Sequence, residues 1–85
     1  MIRATQVKET QVKKLNPAFA RADLGLTQQE LADRAGTSQR VISNSENGFP
    51  IRLLTAAAIL RIFNEERAKR GLALLELEDV DWIIR

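Results

Sequence analysis

The stretch TQQELADRAGTSQRVISNSENG, residues 27–48, restricts the fold more than any other part of the sequence. It predicts two short helices joined by only Gly36 and Thr37. A connection that short, turning through glycine, forces the two helices to cross closely at a steep angle. Thr27 and Glu30 have the spacing of a capping box at the start of the first helix, and Ser38 is the expected N-cap of the second.

Glycines predict where the helices end. Each follows an apolar or charged helical segment, as a residue in the left-handed region after a helix does. The four glycines are Gly25, Gly36, Gly48 and Gly71. They predict four helices, near 16–24, 27–35, 38–47 and 52–70. In the last helix the apolar residues recur at helical spacing: Leu53, Ala56, Ala57, Leu60 and Phe63.

Side chains at the predicted crossing divide into an inner and an outer set. Ala32 and Ala35 leave room for the second helix, and Leu31 with Val41 or Ile42 points into a shared core. The outer face of the second helix carries side chains that can bond to base edges and phosphates: Gln39, Arg40, Ser43, Asn44 and Asn47. An ordinary solvated face is the alternative that the spacing alone leaves open.

The segment LGLTQQELADRAGTSQRVISNSENG closely resembles the helix-turn-helix of the Xre family, the lambda-repressor-like DNA-binding domains. The residues that match the family pattern are Arg21, Gly25, Leu26, Thr27, Gln28, Leu31, Ala32, Gly36, Ser38, Ile42, Ser43, Glu46, Asn47 and Gly48. The resemblance covers residues 21–63 and implies an all-α, lambda-repressor-like helix-turn-helix domain of four to five helices with a short C-terminal strand or tail. Ser45 departs from it, because the family has an apolar residue there. We expect either that Phe49 fills the gap or that Ser45 is partly exposed.

The resemblance implies contacts to double-stranded DNA. Gln28 is expected at a phosphate, and Gln39, Arg40 and Asn44 in the major groove, where Arg40 suits guanine and the two amides suit adenine. The full set of expected DNA-binding residues is Thr27, Gln28, Ser38, Gln39, Arg40, Ser43, Asn44, Asn47 and Arg52. Gln28 as a solvated first-turn residue and Asn47 as only a C-cap are the structural alternatives. For Glu46 we expect a pair with Arg21 or a backbone bond, since a carboxylate facing phosphate is unfavourable.

The two ends of the chain differ from its middle. We expect a basic arm over residues 1–15, the DNA-binding domain over 16–70 and a C-terminal strand or tail over 71–85. Residues 1–14 carry four basic side chains and one acidic one, whereas residues 64–85 carry four basic and six acidic ones. A polyanion partner at one face fits this distribution, and so does an ordinary solvated surface.

The C-terminal segment is rich in apolar residues. LALLELE, residues 72–78, partly alternates, which favours a short strand, with a helix as the alternative. A domain of 85 residues has a limited core, so we expect a dimer or partner interface here, with a monomer core as the alternative. The expected interface residues are Leu72, Leu74, Leu75, Leu77, Trp82, Ile83 and Ile84.

The expected function is sequence-specific DNA binding, and the resemblance implies a repressor that binds a palindrome as a homodimer. The layout also resembles HipB-type antitoxins, which repress their own operon and bind a toxin; Trp82, in an exposed tail, is the expected toxin-facing residue. The alternative is a protein-interaction module that does not bind DNA.

The composition argues against metal binding and catalysis. The chain has no cysteine and no histidine, so we expect no metal, no cofactor and no catalytic residues. The sequence has neither an apolar run long enough to span a bilayer nor a signal-peptide pattern. We therefore expect a cytoplasmic protein.

Overall fold

The computed structural model describes residues 14–85. Within that range the α-helices are α1 (Pro17–Asp23), α2 (Gln28–Ala35), α3 (Gln39–Glu46) and α4 (Leu53–Lys69). Two short strands, β1 (Pro50–Ile51) and β2 (Ile83–Ile84), and a 3₁₀ helix, Leu77–Asp79, complete this part of the chain. The helical, lambda-repressor-like architecture expected from the sequence is confirmed. Most of the predicted basic arm, residues 1–13, lies outside the described residues.

The helix boundaries follow the predicted caps. The Asn16 side chain accepts a hydrogen bond from the N–H of Ala18 (2.8 Å) at the start of α1. Thr27 and Glu30 form both bonds of the capping box of α2, and Ser38 caps α3. All four glycines have positive φ, and Gly36 (φ 72°) ends α2 in the left-handed conformation that a Cβ disfavours.

The core lies where α2 crosses α3 and packs against α4. Leu31, Ala32 and Ile42 are all buried at this crossing, and Ala32 has no exposed surface. Of the two candidates on α3, Ile42 is therefore the core residue, while Val41 is half-buried. The small side chain at position 32 lets the helices approach, as the sequence predicted.

The structure contradicts both expectations for Ser45. Its side chain is buried, and Phe49 remains 56% exposed, so Phe49 does not fill the gap. The Ser45 hydroxyl donates to the carbonyl oxygen of Ile42 at 2.7 Å. That bond satisfies the buried donor within α3, so a polar residue is accommodated at this apolar position.

The buried face of α4 is rotated from the predicted one. Ala56 and Phe63 are buried as expected, but Leu53 and Ala57 are exposed, Leu60 is only half-buried, and Ile59 and Ile62 are buried instead. The start of α4 is apolar around most of its circumference, so helical spacing fits more than one stripe. Packing against α2 and the 3₁₀ helix selects the face.

A cluster of ion pairs joins α2 to the second half of α4. Arg34 donates to Glu65 (3.0 Å) and to Glu66 (2.7 Å), and Lys69 lies 3.2 Å from Glu66. The hydrogen bond from Arg34 lowers the pKa of the Glu66 carboxyl below its ordinary value, and the Lys69 ammonium adds to this.

The segment LALLELE does not form the predicted strand. Residues 72–76 have no regular secondary structure, and the 3₁₀ helix follows. The Asn64 side chain occupies both backbone groups of Leu75: its Nδ2 donates to the Leu75 carbonyl (2.9 Å), and its Oδ1 accepts from the Leu75 N–H (2.8 Å). With those groups bonded to α4, the segment is not available for a β-ladder at this point.

The last residues fold back over the core. Val80 and Trp82 are buried, with Trp82 only 7% exposed, and the Trp82 indole donates to the Leu77 carbonyl at 3.2 Å. Trp82 is therefore part of the monomer core, and its predicted position in an exposed, toxin-facing tail is wrong. β2 then pairs in parallel with β1, with Pro50 opposite Ile83 and Ile51 opposite Ile84.

The other predicted interface residues divide by their exposure. Leu75 and Leu77 are half-buried and pack against the core. Leu72, Leu74, Ile83 and Ile84 are exposed, so only these four remain available to a partner. No helix of residues 14–85 is long and apolar enough to cross a membrane.

Candidate nucleic-acid interface

The predicted DNA-binding residues share one part of the molecule: the start of α2, the outer face of α3 and the connection to α4. None of them is buried. The exposed ones are Thr27, Ser38, Gln39, Arg40, Asn47 and Arg52, and the half-buried ones are Gln28, Ser43 and Asn44.

A hydrogen bond between two glutamines joins the starts of α2 and α3. Gln28 and Gln39 are the first residues of these helices. The Gln39 Nε2 donates to the Gln28 Oε1 at 3.2 Å. A glutamine amide has two N–H donors and one carbonyl acceptor. Gln39 therefore keeps one N–H and its oxygen for an external partner.

Glu46 holds the other end of Gln28. Its carboxylate accepts from the Gln28 Nε2 at 2.9 Å and from the Arg21 guanidinium at 2.6 and 3.2 Å. A further Arg21 nitrogen donates to the Leu26 carbonyl at 2.7 Å. The predicted pair between Arg21 and Glu46 is confirmed, and it orients Gln28, which in turn orients Gln39.

The turns before α2 and α3 present capped helix starts. The Thr27 hydroxyl accepts from the Glu30 N–H (3.0 Å), and the Ser38 hydroxyl accepts from the Val41 N–H (3.2 Å). Both hydroxyl oxygens thus serve as caps. In the first turn of α2, the backbone N–H groups of Gln28 and Gln29 have no acceptor among the described residues, which suits an anion at this terminus.

The outer face of α3 carries free polar groups. The side chains of Arg40 and Asn44 make no hydrogen bond to any acceptor or donor within residues 14–85. Ser43 accepts a bond from the Asn47 side chain at 3.2 Å. Asn47 is also the C-cap residue of α3, so the alternative role considered for it from the sequence is present in the structure.

The network from Arg21 to Gln39 was missed in part by sequence reasoning. The pair of Arg21 and Glu46 was expected, but Gln28 was assigned only to phosphate or solvent. Gln28 lies eighteen residues from Glu46 and eleven from Gln39. Only the crossing of the helices brings these amides together, so no local pattern could reveal the contact.

Comparison with known proteins identifies a family. A family model described as helix-turn-helix matches residues 19–70, which is more than half of the chain. The matched range includes α2, α3, α4 and every residue of the candidate interface. No curated protein and no solved structure is significantly similar to the chain.

Proposed function

The chain belongs to the helix-turn-helix family of DNA-binding regulators, and from this premise we propose that it is a sequence-specific repressor that binds a palindromic operator as a homodimer. The observation that carries the proposal is the Gln28–Gln39 bond with the free polar face of α3 beside it.

Gln39 is assigned to adenine. In the major groove adenine presents an acceptor at N7 and a donor at N6, and one amide can meet both. Gln39 retains the matching N–H and oxygen after bonding to Gln28. Because Gln28 is itself held by Glu46, the reading amide is oriented before DNA arrives, which reduces the entropy lost on binding.

Arg40 is assigned to guanine. It is exposed, has no protein partner within residues 14–85, and follows Gln39 at the start of α3. A guanidinium can donate two parallel hydrogen bonds to O6 and N7 of guanine. Asn44, one turn further along α3, is the second candidate for adenine.

Backbone phosphates are assigned to the edges of the surface. The backbone N–H groups of Gln28 and Gln29, which have no acceptor within residues 14–85, lie at the positive end of the α2 dipole. Arg52, exposed just before α4, lies at the other edge. Such contacts set the register of α3 on the duplex but carry no sequence information themselves.

The homodimer is assigned to the region around β1 and β2. Exposed large apolar side chains concentrate in β2 and in the residues next to β1: Phe49, Leu53, Leu54, Ile83 and Ile84. Within residues 14–85 the sheet has two strands, and β1 occupies one edge of β2. The other edge of β2 is therefore available for pairing with a second copy. A two-fold axis here would place two α3 helices on one side of a duplex, about 34 Å apart for successive half-sites.

A titration by fluorescence anisotropy tests DNA recognition. The ligand is duplex DNA from upstream of the protein's own gene, beside a scrambled duplex of equal length. We expect tighter binding to the upstream duplex. Gln39→Ala and Arg40→Ala should each reduce that preference by about 1–3 kcal/mol, whereas Arg61→Ala, a control on the exposed surface of α4, should leave it unchanged. Equal binding to both duplexes by the wild type would contradict sequence-specific recognition.

Light scattering coupled to gel filtration tests the dimer. Leu54 is 83% exposed and Leu74 60% exposed, so lysine at either position should be compatible with folding. Leu54→Lys with Ile83→Lys should give monomers, and Leu74→Lys should not. Monomers from Leu74→Lys alone would move the interface to the LALLELE segment.

The toxin partner follows only from the resemblance to HipB-type antitoxins. Since Trp82 is buried, such a partner would have to bind exposed residues of the tail such as Leu72 and Leu74. Co-expression with the neighbouring gene product, followed by purification of the tagged protein, tests this part of the proposal. Recovery of the protein alone would contradict it and leave the DNA-binding assignment standing.

A further inference from the structure

The arginines within residues 14–85 fall into two groups. Five donate side-chain hydrogen bonds to carboxylates or carbonyl oxygens of the protein: Arg21, Arg34, Arg61, Arg67 and Arg70. The other three, Arg40, Arg52 and Arg85, have no such acceptor in the described part of the chain. Arg40 lies on α3, and the remaining two, Arg52 and Arg85, line one pocket.

This pocket has a volume of about 340 Å³ and opens between α3, β1 and the start of α4. Its walls include Val41, Asn44, Ile51, Arg52, Thr55 and Arg85. None of the residues that line it is acidic. Two arginines that line a pocket with no aspartate or glutamate among its lining residues favour a positive potential there, which an anion relieves. The amide of Asn44 and the hydroxyl of Thr55 supply neutral hydrogen-bonding groups in the same place.

The fold brings Arg85 to this pocket from the far end of the sequence. The pairing of β2 with β1 sets its position, and the Arg85 N–H donates to the Ile51 carbonyl at 3.0 Å. Arg85 thereby lines the same pocket as Asn44, although all of α4 lies between the two residues in sequence. The matched helix-turn-helix region ends at residue 70 and does not include it.

We propose that Arg85 and Arg52 together bind a phosphate group in this pocket, and that its source is the DNA backbone next to the bases contacted by α3. The C-terminal segment is then part of the DNA-binding surface as well as part of the core. The inference rests on the proposed DNA-binding function and adds a residue to it. Guanidinium groups suit phosphate because they donate two parallel hydrogen bonds.

The experiment measures affinity against salt concentration for the full chain, with the upstream and the scrambled duplex. Arg85→Gln should weaken binding to both duplexes by a similar factor, on the order of tenfold. It should also reduce the slope of log K against log[salt] by about 0.9, the value for one phosphate contact. Arg61→Gln is the control, because it removes an equal charge from an arginine of α4 that is paired with Glu65.

The Arg85→Gln substitution should leave the fold of the protein unchanged. The Arg85 side chain is exposed, and its backbone bond to Ile51 is kept in the variant. Circular dichroism should therefore show an unchanged melting curve. Arg85→Lys, which keeps the charge and loses the paired donors, should retain the salt slope.

The outcomes separate the two proposals. If Arg85→Gln has the same salt slope as Arg61→Gln while the wild type still prefers the upstream duplex, the phosphate assignment is wrong and the proposed function stands. If the wild type shows no preference but Arg85→Gln lowers the slope on both duplexes, the assignment stands and sequence-specific recognition fails. Absence of any DNA binding by the wild type would overturn both.

A free phosphate compound is the alternative ligand for this pocket. Addition of inorganic phosphate to the ¹⁵N-labelled chain, with chloride at equal ionic strength as the control, reports on the amides of Asn44 and Thr55. Shifts that disappear in Arg85→Gln, together with an unchanged DNA salt slope, would assign the pocket to a free phosphate compound and overturn the DNA source.

Discussion

Replacement of Glu46 by glutamine tests whether one carboxylate supports both the helix crossing and the reading amide. The Glu46 side chain is 7% exposed and that of its partner Arg21 17%. The carboxylate accepts three hydrogen bonds, two from Arg21 and one from Gln28. Glutamine keeps the shape but offers a single acceptor oxygen, so its NH₂ group must face a donor.

The magnitude follows from the burial of the pair. Loss of one partner from a fully buried ion pair costs about 3–5 kcal/mol, and exposed pairs contribute about 0–1 kcal/mol. The pair of Arg21 and Glu46 is closer to the buried case. We therefore expect Glu46→Gln to lower the free energy of unfolding by about 2–4 kcal/mol. Glu65→Gln, which removes the more exposed ion pairs with Arg34 and Arg61, should cost about 1 kcal/mol or less.

Urea unfolding followed by circular dichroism measures these values. A double-mutant cycle with Arg21→Met and Glu46→Gln isolates the pair, with an expected coupling of about 1.5–3 kcal/mol. Under conditions where the variant is folded, its preference for the upstream duplex should also fall, because Gln28 loses its anchor. A coupling below about 0.5 kcal/mol would refute the reasoning, since it would mean that the two side chains are solvated independently.

Three further substitutions test the packing and its charges. Ala32→Leu should cost about 1–3 kcal/mol in the free energy of unfolding, because the helix crossing has no free volume; an unchanged melting curve would place the crossing elsewhere. Trp82→Ala should cost about 3–5 kcal/mol as a core truncation, whereas an exposed tryptophan would cost little. Because the folded-state pKa of Glu66 is lowered by Arg34, its contribution to stability is present above the ordinary value of 4.5 and is lost as pH falls through the folded-state pKa. In Glu66→Gln the free energy of unfolding should therefore fall less as the pH is lowered. Urea unfolding at several pH values measures this, and an equal decline in the wild type and the variant would contradict it.

The helices and the crossing were determined by sequence alone, because their signals are local. The capping bonds of Thr27, Glu30 and Ser38 each join residues three positions apart, and Gly36 turns the chain at a single residue. Sequence spacing therefore suffices to locate these helix ends. The absence of side-chain atoms beyond Cβ at Ala32 similarly marks the crossing. The pairing of Arg21 with Glu46 was within reach of the same reasoning, because a carboxylate on a helix expected to contact DNA needs a cation.

Only the tertiary structure decided the links between distant segments. The Gln28–Gln39 bond depends on the angle between α2 and α3, and the rotated face of α4 depends on what packs against it. Leu75 alternates with glutamates as a strand residue does, yet Asn64 takes both of its backbone groups. Trp82 is buried and Arg85 reaches the pocket beside α3 because the C-terminal segment folds back onto β1. Such contacts depend on the positions of the packed helices, and no local spacing encodes them.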